Sequence, residues 1–220
     1  MKPREDRIDR CKKEIRPGLW LDSGLALFFE LENTLVISDI HWGYAEVHRN
    51  QGNLFPLWGD LEIARRIDAL LKIYQPGRMI WLGDSLHGAK GQRAAEHYLA
   101  ALDLRLEVVL IGGNHDRRWK KELRDSFRLG DYLLHHGDQF KDVPTGVCEV
   151  VGHWHPALTH RDGAGLSLKL PVLVEQPRRL ILPAFSPWSK GTDWEAGAGD
   201  ELWIVAPKRI WKIKAQVLPL

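Results

Sequence analysis

The sequence predicts a domain of the α/β (α+β) class. Its 220 residues are about the length of one large domain, and 44% of them are apolar, which is enough to form a sizeable core. Apolar runs of strand length alternate with stretches of helical period in the first half of the chain, and β segments broken by prolines follow Leu166. Five of the apolar runs each end in a cluster of polar residues.

Residues 1–18 are predicted to precede this domain, which is expected to span residues 19–220. The segment is charged and has no apolar periodicity, and it ends at Pro17-Gly18. We therefore expect an N-terminal arm or a short frayed helix, and we assign it no function.

Strand and helix patterns then alternate along the chain. Residues 25–29 and 34–37 flank a turn and predict a hairpin. A helix is predicted from about residue 61 to 74, because apolar side chains recur every three or four positions, with Asp60 as its cap. The other predicted elements are a strand over 78–82, a helix near 92–102, a strand over 106–111, short strands over 132–134 and 147–151, and a closing pair over 202–205 and 210–217.

The five polar clusters are expected to meet at one edge of the fold. In an open sheet with helical crossovers, functional side chains collect at the carboxyl ends of the strands. The clusters offer carboxylate, carboxamide and imidazole groups and no thiolate: Asp39, His41, Asp84, Asn114, His136, His153 and His155. Such a set suits Mn, Fe or Zn better than Ca, which takes only oxygen ligands, or a structural zinc, which usually takes sulfur.

Seven ligands are too many for one ion, and they fit two divalent ions that share a carboxylate. Asp39 and Asp84 supply two negative charges against four positive ones. With a bridging hydroxide, a net charge of about +1 remains, which attracts an anionic phosphoryl group. The sequence therefore predicts a phosphate-ester site with two metal ions.

The clusters form five blocks in a fixed order: Asp39-x-His41, Gly83-Asp84, Gly113-Asn114-His115-Asp116, His136-Gly137 and Gly152-His153-x-His155. In this order they resemble the calcineurin-like metallophosphoesterase superfamily. The residues that flank the blocks, together with residues 182–193, are similar to the branch of DNA-ligase-associated metallophosphoesterases. That likeness runs from about residue 20 to 206.

The resemblance implies a four-layer sandwich of two mixed β-sheets flanked by helices, with the site on one edge. It implies that the first ion is held by Asp39, His41, Asp84 and His155, and the second by Asp84, Asn114, His136 and His153. Asp84 is then the bridge. The resemblance also implies that His115 assists the leaving oxygen or contacts the phosphate, and that Asp116 orients His115. The expected metal is Mn, with Fe or Zn as alternatives.

Three further positions stay open at the level of sequence. Alternation along a strand sends the adjacent His135 and His136 to opposite faces, and His136 is the expected ligand. His87 is expected either to touch the phosphate or leaving group, or to be a surface loop histidine. Arg117 and its neighbour Arg118 are expected either to steer a polyanion or to be solvated.

Tryptophans also lie inside or beside the predicted site loops: Trp42, Trp119, Trp154 and Trp188. Indole rings there either stack on a nucleobase or wall the metal pocket and keep it dry.

The leading hypothesis is a metal-dependent phosphoesterase that hydrolyses phosphodiesters of nucleotide or nucleic-acid type by in-line attack of a metal-bridging hydroxide. The branch resemblance implies a link to DNA repair or ligation, with DNA-repair proteins as partners. Because the net charge is only +2, we rank a small or single-stranded phosphodiester above long duplex DNA. The alternatives are a small-molecule phosphomonoesterase and a non-catalytic, metal-stabilised binding module.

A cytoplasmic protein that makes no membrane contact is expected. The two cysteines, Cys11 and Cys148, have no spacing typical of a zinc site or a redox disulfide. The first residues lack the apolar core of a signal peptide, and no stretch approaches the length of an apolar membrane span. The sequence leaves the oligomeric state open.

Overall fold

The computed structural model describes residues 10–103, 106–161 and 163–214. Within these ranges the chain forms two mixed β-sheets on either side of a shared core, with α-helices against the outer face of the first sheet. The predicted α+β sandwich of two mixed sheets is confirmed. No helix in these ranges is long and apolar enough to cross a membrane.

The first sheet takes its strands in chain order. Among the described residues it contains β1 (Lys12–Arg16), β2 (Leu19–Asp22), β3 (Ala26–Phe29), β4 (Thr34–Ile37), β5 (Arg78–Leu82) and β6 (Glu107–Ile111). The helices of this half are α1 (Tyr44–Asn50), α2 (Gly59–Tyr74) and α3 (Gln92–Asp103). Neighbours from β1 to β4 are antiparallel, whereas β4, β5 and β6 are parallel and are joined by helical crossovers.

The second sheet follows in the chain and contains both antiparallel and parallel strand pairs. Its strands among the described residues are β7 (Phe127–Leu129), β8 (Tyr132–Leu134), β9 (Cys148–Val151), β10 (Pro156–Arg161), β11 (Ser167–Gln176), β12 (Arg179–Ile181), β13 (Thr192–Asp193), β14 (Glu201–Ala206) and β15 (Arg209–Lys214). The main order is β13-β10-β11-β12-β9-β8-β7, and β14 pairs with both β11 and β15. The predicted closing pair is thus β14 and β15, and residues 215–217 of that prediction lie outside the described residues.

Buried apolar side chains hold the layers together. Val36 and Val109 of the first sheet belong to the same buried cluster as Val150 of the second, so the main core lies between the sheets. Helices α2 and α3 bury a second cluster against the outer face of the first sheet. The outer face of the second sheet is covered in part by Trp194 and Ala196, which belong to irregular chain in the part of the protein that the structure describes.

The predicted N-terminal arm or helix is wrong where the structure describes it. Lys12–Arg16 forms the edge strand β1, antiparallel to Leu19–Asp22. The apolar alternation of a strand is absent because the first three residues of β1 are exposed. Residues 1–9 of that prediction lie outside the described residues.

Helix α2 forms where its periodicity predicts, and Ile63, Ile67 and Leu70 are its buried face. The predicted capping role of Asp60 is wrong, because the helix begins at Gly59 and Asp60 lies in its first turn. The Asp60 carboxylate instead accepts a hydrogen bond of 3.0 Å from the backbone N–H of Gly43, which precedes α1.

Candidate metal centre

The loops that follow five strands meet at one edge of the sandwich. They follow β4, β5 and β6 in the first sheet, and β8 and β9 in the second. Backbone hydrogen bonds join them: the N–H of His41 donates to the carbonyl of Asp84 at 3.0 Å, and the N–H of Gly152 donates to that of His136 at 3.0 Å. The N–H of His153 donates to the Asp39 carboxylate across the two sheets. The structure therefore brings the polar clusters together at this edge, as predicted.

The backbone of these loops is strained. Among the residues that the structure describes, eight non-glycine residues have a positive φ. Five of them are predicted ligands: Asp39, His41, Asp84, His153 and His155. Residues other than glycine rarely adopt a backbone conformation with positive φ. Where they do, they cluster at sites where surrounding contacts hold a functional geometry in place. The strain marks this edge as a site.

One group of candidate ligands consists of Asp39, His41 and His155. A ligand atom from each lies within 4.8 Å of the others. The Nε2 atoms of His41 and His155 face each other at 3.5 Å, and Asp39 Oδ1 lies 3.0 Å from His155 Nε2. Two imidazole nitrogens and a carboxylate oxygen directed at one point are a donor set for a divalent cation.

A second group consists of Asp84, His136 and His153, again with ligand atoms within 4.8 Å of one another. Their atoms converge on His136 Nε2, which lies 3.4 Å from Asp84 Oδ2 and 3.3 Å from His153 Nδ1. The amide oxygen of Asn114 is 3.2 Å from the same nitrogen. All four residues that the resemblance assigns to the second ion are thus adjacent.

The two groups touch each other, since His136 Nδ1 is 3.9 Å from Asp39 Oδ1. Asp84 lies with the second group, and its Oδ1 accepts a hydrogen bond of 2.9 Å from the N–H of His115. Its predicted membership of both groups, as a bridge between two ions, stays a prediction.

Charges at the centre are those of a cation site. Burial raises the pKa of Asp39, but the hydrogen bond and charge of His155, together with the charges of His136 and His41, outweigh it and lower the pKa overall. For Asp84, burial is likewise outweighed by His136, and the pKa falls to about 2. Burial lowers the pKa of His41 to about 4. Two buried carboxylates therefore stay ionised at neutral pH beside a neutral His41. Burial lowers the pKa of His136, but Asp84 and Asp39 outweigh it and raise that pKa to about 9, so His136 must release a proton when it binds a metal.

His115 and His87 lie on the solvent side of the first group. Their rings stack at 5.1 Å, and ligand atoms of His41, His87 and His115 come within 4.8 Å of one another. His115 Nδ1 is 3.2 Å from the carbonyl oxygen of His87, and its Nε2 is 4.0 Å from Asp84 Oδ2. Burial, together with the charges of His115 and His48, lowers the pKa of His87 to about 4, so its ring is neutral at pH 7.

The expected orientation of His115 by Asp116 is not what the structure contains. The buried carboxylate of Asp116 accepts hydrogen bonds from the backbone N–H groups of Ser85, Leu86 and Gly113, at 3.1, 2.8 and 3.1 Å. It therefore fixes the loops after β5 and β6 to each other. His115 Nδ1 instead faces the carbonyl oxygen of His87, at 3.2 Å.

The structure separates the two adjacent histidines. His136 points into the centre, whereas the Nε2 atom of His135 lies 2.9 Å from Glu149 Oε1. The other oxygen of Glu149 is paired with Arg179. Arg117 is exposed and lines a cavity of about 200 Å³ that His136 also borders.

The four tryptophans divide into two classes. Trp42 and Trp119 are buried in the cluster beneath the helices, which excludes them as stacking surfaces. Trp154 and Trp188 are partly exposed, and Trp154 contacts the His153 ring at 5.5 Å.

Ser189, next to Trp188, is a site residue that the sequence did not predict: its Oγ lies 3.1 Å from His155 Nδ1. The only signal for it was its place in the flank 182–193 that carries the branch resemblance.

Comparisons with known proteins agree with this geometry. The model of the calcineurin-like phosphoesterase family matches residues 33–205. Among solved structures, the crystal structure of the nuclease MPE of Pseudomonas putida matches with a TM-score of 0.71 and 25% identity, covering 93% of this chain and 100% of that chain. A search of curated proteins gave no match.

Proposed function

The chain belongs to the calcineurin-like phosphoesterase family and is a metal-dependent phosphoesterase, and from that premise we propose that it hydrolyses phosphodiester bonds of nucleotide or nucleic-acid type with two divalent ions. The observation that carries the proposal is the pair of adjacent ligand groups, each built on a buried carboxylate. We assign the first ion to Asp39, His41 and His155, and the second to Asn114, His136 and His153, with Asp84 shared between them.

The donor set fits this assignment. Imidazole nitrogens, carboxylate oxygens and one amide oxygen suit Mn, Fe or Zn, and we propose Mn as the metal. When bound, such ions supply Lewis-acid activation of water and of the phosphoryl oxygens. Asp39 is held for this role by the N–H of His153, and His155 is held by Ser189.

His115 is proposed to hold the proton that the leaving oxygen needs. Its ring is partly exposed at the mouth of the centre, and its Nδ1 faces the His87 carbonyl at 3.2 Å. A carbonyl accepts only from a protonated nitrogen, so this contact keeps a proton on Nδ1 and turns Nε2 toward the centre. The proton given to the leaving oxygen is therefore a second one, carried on Nε2 when the ring is in its imidazolium form. Arg117, exposed beside His136, is proposed to attract the phosphodiester by its charge.

Support for a nucleic-acid substrate comes from the similarity to a nuclease over 93% of the chain. The near-balanced charge of the chain, +2 at pH 7, favours a single-stranded or small diester over a long duplex, because duplex binders rely on many phosphate contacts. The proposed link to DNA repair or ligation, with repair proteins as partners, rests on the branch resemblance of residues 20–206.

The test measures hydrolysis of a panel of substrates by the purified protein. The substrates are bis(p-nitrophenyl) phosphate, p-nitrophenyl phosphate, nucleotides, and single- and double-stranded DNA. Each is assayed with Mn, Fe, Zn and Mg in turn. We expect diester hydrolysis that a chelator abolishes and added metal restores. His136→Ala should remove it, whereas His160→Ala, an exposed histidine on β10, should retain it.

Two outcomes would contradict the proposal. Preferential cleavage of the monoester would identify a phosphomonoesterase. Absence of turnover with every metal, at normal metal content, would identify a binding module whose metals only stabilise it.

A further inference from the structure

Beside the metal centre, aromatic rings form a continuous row that runs outward from His87. We call it the aromatic platform, and it consists of Tyr44, His48, Phe55, Trp58, His87 and Trp188. The ring centroids of His87 and Tyr44 are 4.5 Å apart, and Tyr44 lies nearly parallel to Trp188, at 6.1 Å and 14°. Trp58 continues the row at 4.6 Å from Trp188.

We propose that the aromatic platform stacks unpaired nucleobases of a single-stranded substrate next to the phosphodiester being cleaved. The inference rests on the proposed function and names its substrate class. Aromatic side chains are sequence-tolerant supports for bases, because every base has a π-face.

The outer part of the platform is open to solvent. Trp58 is 49% exposed, and Tyr44, Phe55 and Trp188 are each half-buried. Trp58 and Phe55 belong to the irregular segment 51–58, which projects these rings from the loop before α2. Exposed patches of large apolar side chains commonly mark the places where a protein binds a partner or ligand.

The row is tied to the centre at two points. At its inner end, the His87 ring lies 5.4 Å from that of His41 and stacks on His115. Further along the row, Trp188 directly precedes Ser189, whose Oγ contacts His155 Nδ1 at 3.1 Å. A strand with its phosphodiester at the centre therefore has its neighbouring bases beside these rings.

Charge next to the platform fits a phosphate backbone. The guanidinium of Arg49 donates a hydrogen bond of 3.0 Å to the carbonyl oxygen of Phe55, which places a cation at the edge of the row. Lys190, two residues after Trp188, is exposed. Positive side chains along aromatic rings are the arrangement by which single strands are bound, since the bases stack and the phosphates are neutralised. Paired bases offer no free face, so the platform selects single strands.

The exposed leucines of the same segment, Leu54 at 95% and Leu57 at 59%, supply the matched control. An apolar patch that docks a protein would use these side chains as well as the rings, whereas base stacking needs the rings alone. Leu54→Ala removes apolar surface without removing a ring.

The experiment measures binding of a fluorescein-labelled oligothymidylate to the metal-loaded full chain by fluorescence anisotropy, with phosphorothioate linkages in the strand to resist cleavage. Trp58→Ala should weaken binding about 10-fold, the effect of losing one stacked base. Trp58→Phe should restore most of the affinity, and Leu54→Ala should bind like the unaltered chain. On an abasic strand of the same length, Trp58→Ala and the unaltered chain should bind equally.

Unchanged oligothymidylate binding by Trp58→Ala overturns the inference. So does a loss of affinity by Trp58→Ala that is equally large on the abasic strand. A loss with Leu54→Ala as large as that with Trp58→Ala also overturns it, because it would indicate a general apolar surface. Hydrolysis of bis(p-nitrophenyl) phosphate by the unaltered chain is measured in parallel. Diester hydrolysis with no effect of Trp58→Ala on binding removes the platform and leaves the proposed function. Ring-dependent binding without hydrolysis removes the proposed function and leaves the platform.

Discussion

Two adjacent histidines after β8 have different surroundings, and their substitution separates a ligand from a structural residue. His136→Ala should lose the second metal and the activity, because its Nε2 is the point on which Asp84, Asn114 and His153 converge. His135→Ala should keep both metals. It should instead lose about 1 to 3 kcal/mol of unfolding free energy, because Glu149 is left with a buried oxygen that has lost its partner.

Metal content by elemental analysis and urea unfolding of the metal-free protein check this pair of variants. The opposite pattern, with metal lost only from His135→Ala, would mean that the wrong face of the strand was assigned to the centre.

His115 is expected to act on the leaving oxygen and not as a ligand. His115→Ala should keep its metals, because the neighbouring Asn114 supplies the donor on this loop. It should lose about 10² to 10⁴ in rate on alkyl diesters such as dinucleotides, whose leaving oxygen needs a proton, and much less on a p-nitrophenyl diester. Steady-state kinetics on both substrates decide the question. Equal losses would assign His115 to the phosphoryl group instead.

Asp116 is expected to stabilise the loops and to act on catalysis only through them. In Asp116→Asn, an amide NH₂ would face backbone donors that now meet a carboxylate, so the unfolding free energy should fall by about 2 to 3 kcal/mol. The control is Asp142→Asn, at an exposed position, which should change the unfolding free energy by less than about 0.5 kcal/mol. Unchanged stability in urea unfolding, with activity lost, would restore the orienting role for His115.

These residues show what sequence reasoning reaches at a site. Strand alternation, a local rule, put His135 and His136 on opposite faces, and the place of His136 before Gly137 chose it as the ligand; the structure directs its side chain to the centre. The partners of Asp116 did not follow, because its three donors belong to two different loops. The contact of Ser189 with His155 spans 34 positions and has no local pattern.

At the scale of elements, a backbone contact fixes the loop that carries His41. A Cβ on Gly91 would lie 2.0 Å from the carbonyl oxygen of Trp42, so the turn Ala89–Gly91 touches the start of α1 backbone to backbone. Gly91→Ala should cost about 3 kcal/mol of unfolding free energy, because neither backbone can yield without moving its element.

The control is Gly197→Ala, where the nearest atoms are 3.9 Å away, and it should change stability by less than about 0.5 kcal/mol. Thermal unfolding of both variants measures the difference. Equal stability of the two would mean that this contact is easily relaxed.

Elements with strong periodicity were predictable, and those whose pattern is set by neighbours were not. The hairpin of β3 and β4 and the helix α2 lie where alternation and helical period put them. Strand β1 was missed because most of it is exposed at a sheet edge and so lacks apolar alternation. Helix α1 has seven residues and buries only Ala45, too little for a periodic signal.

At the scale of the whole molecule, the candidate centre joins the two sheets. The proposed ligands from the first sheet are Asp39, His41, Asp84 and Asn114, and those from the second are His136, His153 and His155. Bound ions would therefore add links between two layers that the apolar core, the His153–Asp39 hydrogen bond and the Arg16–Glu175 ion pair already hold together. Metal binding should stabilise the sandwich as one unit.

Adding Mn²⁺ at about 100 times its Kd to metal-free protein should raise the unfolding free energy by about 2.7 kcal/mol per ion, which for a chain of this length raises Tm by about 5 to 10 °C. Calorimetry with elemental analysis measures both quantities.

If Asp84 bridges the ions, Asp84→Ala should lose the two metals together and with them the whole shift in Tm, because a shared ligand holds each ion. His160→Ala should keep the full shift, since its place on β10 is outside both ligand groups. Two ions still bound to Asp84→Ala at normal occupancy would show that Asp84 does not bridge, and that each ion is held from within its own group.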